Sequence, residues 1–291
     1  FVGPSQSGKS QMLMACAAHA ICCDPGPIQL NHITSTAAKD WVLTKLEPTL
    51  RNSPELAARL GRRKSDDNMF EKGFAGGTRF TIGPPTIEQL SARTRRLMLL
   101  SDYDRWADSI GGEGSGATLA DARTRTYGSR GMTVIESSPG RARSREDWQA
   151  GAAAPHEAPP VQGGILGLYN EGTRARWYWD CPGCGSAFEP RFSLLVYDRE
   201  AEPVEAGAQA QMGCPQCGTL IDHARKPALN ATGRWLHETR DGRVVPVSDA
   251  DLRGGDLVSY WLQGVAATFA TWAQLVALYE AARRKFDLTG D

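Results

Sequence analysis

The chain has 291 residues, 41% hydrophobic and 23% charged, enough to bury a full core in one large domain with an appended module. Thirty-three basic and thirty-three acidic residues cancel. This excludes a global basic field, so any nucleic-acid contact must come from local arginine clusters. No apolar run approaches the roughly 18 residues of a membrane span and no charged-then-apolar leader opens the chain, so no membrane association and a cytoplasmic setting are expected.

The first feature met along the chain is the loop Gly3-Pro4-Ser5-Gln6-Ser7-Gly8-Lys9-Ser10. Only Phe1-Val2 precedes it, and Phe1 is not Met. The chain is therefore expected to continue upstream, with any adenine-recognition segment there, and beyond the Phe286-Asp-Leu-Thr-Gly-Asp291 end as well. Residues 11–21 are almost all apolar or small, as in a helix buried against a sheet, and Asp24-Pro25-Gly26-Pro27 breaks them. Residues 28–33 predict a strand, Thr34-Ser35-Thr36 a helix N-cap, and residues 37–46 a helix. Residues 50–72 are polar and basic and predict one short helix with a loop. Gly76-Gly77 then turns into a strand at 78–82, followed by a short helix at 86–92.

The run Leu97-Met98-Leu99-Leu100 leads directly into Ser101-Asp102-Tyr103-Asp104, which has the length and bounds of a buried parallel strand ending in acids. A glycine-rich loop at 111–116, a helix at 118–127 and a strand at 132–136 follow, closed by Ser137-Ser138-Pro139-Gly140. Strands separated by helices predict an α/β fold with a mainly parallel sheet flanked by helices. The expected domains are a nucleotide-binding core at 1–149, a linker at 150–175, a cysteine-bearing module at 176–224, and a return segment with a helix at 225–291.

Gly3-x4-Gly8-Lys9-Ser10 satisfies the full phosphate-loop pattern. Its glycines turn backbone N–H groups toward phosphates, Lys9 reaches the β- and γ-phosphates, and the Ser10 hydroxyl ligates magnesium. Residues Gly3, Pro4, Ser5, Gln6, Ser7, Gly8, Lys9 and Ser10 are thus the expected ATP contacts. Such a loop needs an acidic partner at a neighbouring strand end, to hold magnesium and orient the attacking water. Two registers are open. One places Ser101 at the magnesium position and Asp102 at the water-orienting one. The other makes Asp102 the magnesium partner, with Asp104 or Glu113 as substitute base. Asp102 is essential in both.

Cys181-x2-Cys184 and Cys214-x2-Cys217 each sit in a Cys-Pro-x-Cys-Gly knuckle, whose Pro and Gly set a tight turn that aims both sulfurs at one ion. This predicts a four-thiolate zinc ribbon, structural because four thiolates leave no open position. Cys16, Cys22 and Cys23 are expected to be buried packing residues. The five histidines show no metal or triad spacing, and the arginine clusters at 62–63, 93–96, 123–125 and 141–145 are expected at the solvated surface, where one could still supply an arginine finger or phosphate contacts.

Taken together, the phosphate loop, Asp24-Pro25-Gly26-Pro27, Leu99-Leu-Ser-Asp-Tyr-Asp104 leading into Gly111-Gly-Glu-Gly114, Leu119-Ala-Asp-Ala-Arg-Thr-Arg125, Glu136-Ser-Ser-Pro139, the two knuckles and Trp261-Leu-Gln-Gly264 resemble the large terminase subunit of tailed bacteriophages. The resemblance is to the lambda-like, ribbon-bearing branch. It implies a P-loop ATPase that threads double-stranded DNA into a procapsid in the host cytoplasm. Its implied partners are a portal protein, a small terminase subunit and other copies of itself in a ring. Lys9 and Ser10 carry over as nucleotide and magnesium contacts, and Asp102 as the surviving acid. Ser137, Ser138 and Pro139 match the segment that couples hydrolysis to movement. The family's C-terminal nuclease lies beyond these residues. Two other readings remain: a helicase-like DNA translocase, and a zinc-ribbon binding module on a degenerate ATPase fold.

Overall fold

Helix α1 (Lys9–Cys22) starts at the phosphate-loop lysine, after Gly8 in the left-handed conformation, and buries Leu13, Met14, Ala17, Ala20 and Ile21. In the computed structural model residues 1–145 and 147–290 are described, Lys64 by its backbone alone. They form two units. One comprises Phe1, Gly8–Ser144 and Pro160–Gly167; the other comprises Val2–Ser7, Arg145–Pro159 and the chain from Leu168 onward.

In the first unit β1 (Ile28–Asn31) leads through a Thr34-capped helix, α2 (Ser35–Trp41), to a π-helical turn at Val42–Leu46 and α3 (Glu47–Asn52). One uninterrupted helix was expected over 37–46. Pro48, near the start of α3, brings no N–H for the preceding turn to bond, and the wider π turn takes up the mismatch. Residues 50–72 are also more structured than expected. They hold α4 (Pro54–Arg59) and a short strand, β2 (Glu71–Gly73), antiparallel to β3 (Arg79–Gly83). After α5 (Ile87–Ser91) come β4 (Leu97–Leu100), α6 (Gly116–Thr124) and β5 (Met132–Ile135).

The sheet order is β2-β3-β1-β4-β5, with β1 parallel to β3 and β4, and β4 parallel to β5. Phe1 lies beside β5, its nitrogen donating to the Ile135 carbonyl at 2.6 Å while Ser137 N donates to the Phe1 carbonyl at 3.2 Å. The phosphate-loop strand is therefore separated from the acidic strand by β5. Leu97 and Leu99 join the cluster beneath α1 and α2 with Ile28, Leu30, Phe80 and Ile82. Met98 and Leu100 alternate to the opposite face, where α6 crosses β4. Burial on both faces explains the unbroken apolar run.

Two sequence expectations need correction. Arg95 and Arg96 are buried, not solvated; Arg95 Nε donates to Gln29 Oε1 at 2.8 Å and Arg96 Nη1 to Asp24 Oδ2 at 3.0 Å. Burial of Gln29 inside a central strand creates an acceptor that an arginine satisfies. Cys16 and Cys22 pack against the core as expected, but Cys23 is exposed, because α1 has ended at Cys22.

Helix α7 (Gly164–Glu171), which lies within the stretch expected as linker, begins in the first unit and ends in the second, where it precedes β6 (Ala175–Asp180). The next elements are β7 (Ala187–Phe188), β8 (Leu195–Val196), α8 (Pro203–Ala208), β9 (Gln211–Gly213) and β10 (Leu220–Ile221). The chain closes with α9 (Lys226–Thr232), β11 (Arg234–Glu238), β12 (Val244–Val245), β13 (Tyr260–Trp261) and α10 (Trp272–Thr289). Strand β6 pairs with β11 and β7 antiparallel and with β13 parallel, and β8, β9 and β10 form a second, antiparallel sheet. Trp179, Phe188, Met212, Val265 and Trp272 form the core. Val2 pairs with Trp261. His156 is buried, its Nδ1 2.7 Å from the Arg174 carbonyl and its Nε2 2.8 Å from the Tyr178 hydroxyl.

Two outcomes are expected from this fold. A Cβ at Gly131, the residue entering β5, would lie 2.4 Å from the Thr124 carbonyl oxygen. Gly131→Ala should therefore lower unfolding free energy by about 1–3 kcal/mol, measured by denaturant titration, whereas Gly151→Ala, with open space around it, should match wild type. Burial lowers the His156 pKa from 6.5 to about 4, so the unfolded chain takes up a proton first and stability falls as pH drops through that window. The stability advantage of wild type over His156→Gln should shrink between pH 6.5 and about 4; a gap constant with pH would contradict it.

Candidate active site

The phosphate loop has left-handed backbone at Gln6 (φ 57°) and Gly8 (φ 85°). Alternation of this kind turns successive N–H groups toward one side and makes an anion-binding concavity. Ser7 Oγ donates to the Pro4 carbonyl at 2.8 Å. Gly8, the N-cap of α1, contributes no side-chain cap, so the first N–H groups of that 14-residue helix are left to an incoming anion. Lys9 is buried and its Nζ donates to Ser138 Oγ at 3.0 Å. Burial lowers its pKa, while the charges of Glu136 and Asp102 raise it. Ser10 follows on the first turn.

Parallel pairing brings the ends of β1, β4 and β5 to one edge. Ser101 N donates to the Asn31 carbonyl and Glu136 N to the Leu100 carbonyl, each at 3.0 Å. Ser101 is buried. Asp102, one residue on, has φ 53° and ψ 42°, a left-handed conformation that Asp tolerates better than most residues and that is concentrated at functional sites. Its Oδ2 lies 3.7 Å from His32 Nε2, and its side chain is 37% exposed, so the carboxylate stays accessible. His32 Nδ1 accepts from Ile33 N at 2.9 Å, which places the ring proton on Nε2, facing Asp102. Burial lowers the His32 pKa against the opposing pull of Asp102 and Asp40.

Of the two acids expected as alternative bases, Asp104 has both carboxylate oxygens engaged by backbone N–H groups. The Asp104 side chain is 4% exposed. Its Oδ2 accepts from Gly140 N at 2.7 Å and Arg141 N at 3.2 Å, and its Oδ1 from Ile165 N at 2.6 Å. This carboxylate ties together the backbone that follows Ser137-Ser138-Pro139. Glu113 is exposed on the glycine-rich loop. In the expected coupling segment, Ser137 Oγ accepts from Asp104 N at 3.0 Å and donates to the Ser138 carbonyl at 3.0 Å. Pro139 is exposed.

One residue of the site was absent from the sequence expectations. Glu136, 1% exposed, accepts through Oε1 from Ser101 Oγ at 2.6 Å and from Asp102 N at 3.2 Å. Its Oε2 is buried with no hydrogen-bond partner among the described residues. Burial pushes its carboxyl upward in pKa, opposed by the Ser101 hydroxyl and the charge of Lys9. The only sequence signal was an acid at the end of a strand, placed beside residues already assigned to coupling.

The four knuckle cysteines converge, their sulfurs all within 4.8 Å of one another. Each knuckle caps a hairpin, β6–β7 and β9–β10. The two turns repeat: Gly185 N donates to the Cys181 carbonyl at 2.8 Å and Gly218 N to the Cys214 carbonyl at 3.0 Å, with both glycines at positive φ. Sγ separations are 3.7 Å for Cys181–Cys217 and 3.9 Å for Cys184–Cys214, against about 3.8 Å for the edge of a tetrahedron with bonds of about 2.3 Å. The donor set fits one tetrahedral, thiolate-bound ion.

Comparison with known proteins agrees with this geometry. The chain is similar to the terminase large subunit of Enterobacteria phage P21, 24% identical over an alignment 292 positions long, gaps included, that covers 92% of this chain and 40% of the relative. It thus spans about two-fifths of that relative's length. Residues 1–235 match the family described as phage terminase large subunit gpA, ATPase domain. With a phosphate loop opening α1, an acidic turn closing β4 and a match over most of its length, the chain belongs to the phage terminase large subunit gpA ATPase-domain family.

Proposed function

We propose that this chain is the ATP-hydrolysing part of a viral DNA-packaging motor, taking Mg–ATP at the carboxyl edge of its parallel sheet. The observation that carries the proposal is the hydrogen bond from Lys9 Nζ to Ser138 Oγ at that edge, where the carboxylate charge of Asp102 is felt by Lys9. The loop N–H groups and Lys9 bind and orient the phosphates, and the Ser10 hydroxyl holds magnesium, which neutralises charge on the β- and γ-phosphates when bound. Asp102, accessible and faced by the His32 N–H, orients the attacking water and takes its proton. Asp104 acts as a tie within the site and Glu113 takes no part in chemistry.

The Lys9–Ser138 hydrogen bond connects hydrolysis to movement. A phosphate arriving at Lys9 competes with Ser138, so nucleotide state is felt by Ser137, Ser138 and Pro139 and, through Asp104, by the backbone at Gly140 and Ile165. The work done is translocation of double-stranded DNA into a procapsid in the host cytoplasm, by a ring of copies docked on a portal protein and supplied with DNA by a small terminase subunit. No helix among the described residues is long and apolar enough to cross a membrane. The four cysteines hold a structural zinc.

Nucleotide binding should be at least about tenfold weaker in Lys9→Ala, and Asp102→Asn should bind nucleotide but turn over about 10²-fold more slowly, both read by fluorescent-nucleotide titration and DNA-stimulated phosphate release. Equal background turnover in wild type and both variants, despite nucleotide binding, would instead favour a binding module on a degenerate ATPase fold. Elemental analysis should find one zinc per chain. Chelation, or Cys217→Ser, should unfold the 176–224 module at a lower temperature while nucleotide binding persists.

A further inference from the structure

We propose that Glu136 supplies the magnesium-side carboxylate that the end of β4 lacks, with Ser101 as the residue that holds it there. The inference rests on the nucleotide reading above and assigns a residue that reading leaves out.

A phosphate loop of this kind is served by two acidic functions, one toward the metal and one toward water. Here the strand facing the loop offers Ser101 and then Asp102, so one acid is missing from β4. The neighbouring strand provides it. β5 lies between Phe1 and β4, and the residue leaving β5 is Glu136. Its long side chain reaches back to Ser101, whose hydroxyl donates to Oε1 at 2.6 Å, and Asp102 N donates to the same oxygen at 3.2 Å. Both donors act on Oε1. They orient the carboxyl group and leave Oε2 buried and unpartnered among the described residues. An unsatisfied carboxylate oxygen in the interior is costly, and a bound cation or its water would relieve that cost. Glu136 and Lys9 act electrostatically on each other, which places Glu136 in the same cluster as the phosphate-binding lysine.

Serine at 101 fits this assignment for a second reason. An aspartate there would set two carboxylates within hydrogen-bond range in a buried space, and one of them would have to be protonated. A hydroxyl avoids that conflict and donates a charge-assisted hydrogen bond. The acid stands after β5 in place of β4, and the two positions should be exchangeable as a pair.

The test measures nucleotide affinity with and without Mg²⁺, and Mn²⁺ binding by electron paramagnetic resonance in the presence of ADP, for wild type, Glu136→Gln, Ser101→Asp/Glu136→Ser and Lys9→Ala. Glu136→Gln keeps an acceptor for Ser101 and Asp102 N but loses the charge. It should lose about tenfold in the Mg²⁺-dependent part of nucleotide affinity and in Mn²⁺ affinity, with metal-free binding unchanged. The double variant, which returns the acid to β4, should recover most of that loss. Wild-type metal dependence in Glu136→Gln, or a double variant no better than Glu136→Gln while folded by circular dichroism, would overturn the assignment and leave the nucleotide reading intact. Failure of wild type to bind nucleotide, or identical binding by Lys9→Ala, would overturn both.

Discussion

Strands β4 and β5 are parallel and paired from Leu97–Met132 to Leu100–Ile135, so Ser101 and Glu136 must leave the sheet side by side. A carboxylate placed there is withdrawn from water and can be kept only by hydrogen-bond donors or positive charge. Ser101, the Asp102 backbone and the nearby Lys9 provide these in part. The turn after β4 is in turn fastened to the segment after β5 by Tyr103 N on the Glu136 carbonyl and Asp104 N on Ser137 Oγ. Asp102 takes up its left-handed conformation inside this double fastening. Lys9, the turn after β4 and the segment after β5 thereby form one polar cluster, in which Lys9 is joined to Ser138 by a hydrogen bond.

Elements whose burial is simple were legible in the sequence. β4 is buried on both faces, so its composition alone marks it, and α1 follows a loop whose chemistry starts the helix. The knuckles were legible because ligand spacing and turn chemistry sit within five residues of each other. Legibility failed where the cause was a distant partner. Nothing within residues 37–46 marked the wider turn, which depends on Pro48 and on the helices on either side. Arg95 and Arg96 resembled surface arginines because Gln29 and Asp24, which draw them inward, lie far away in sequence. Glu136 was hidden for the same reason: its donor Ser101 is 35 residues away, and strand adjacency was unknown. Asp104 was read as a spare acid because the three N–H groups it accepts cannot be seen before folding.

The second unit follows different physics. Its two sheets are short, and the packing of Trp179, Phe188 and Trp272 is supplemented by four converging thiols where two hairpins turn. Thiols at such spacing repel one another when ionised unless a cation stands between them, so a metal there would contribute directly to folding. That centre has a structural role under the proposed function, and the nucleotide chemistry belongs to the parallel sheet.

Under the proposed function this sheet edge holds a magnesium nucleotide between the phosphate loop and a carboxylate from β5. A structure determined with Mg²⁺ and a non-hydrolysable ATP analogue would locate both. The terminal phosphate is expected at Lys9, with the Lys9–Ser138 hydrogen bond replaced and the metal flanked by Ser10 on one side and Glu136 on the other. Phosphates bound away from Lys9, or a metal approached by Asp102 with Glu136 still turned to Ser101 alone, would contradict the claim.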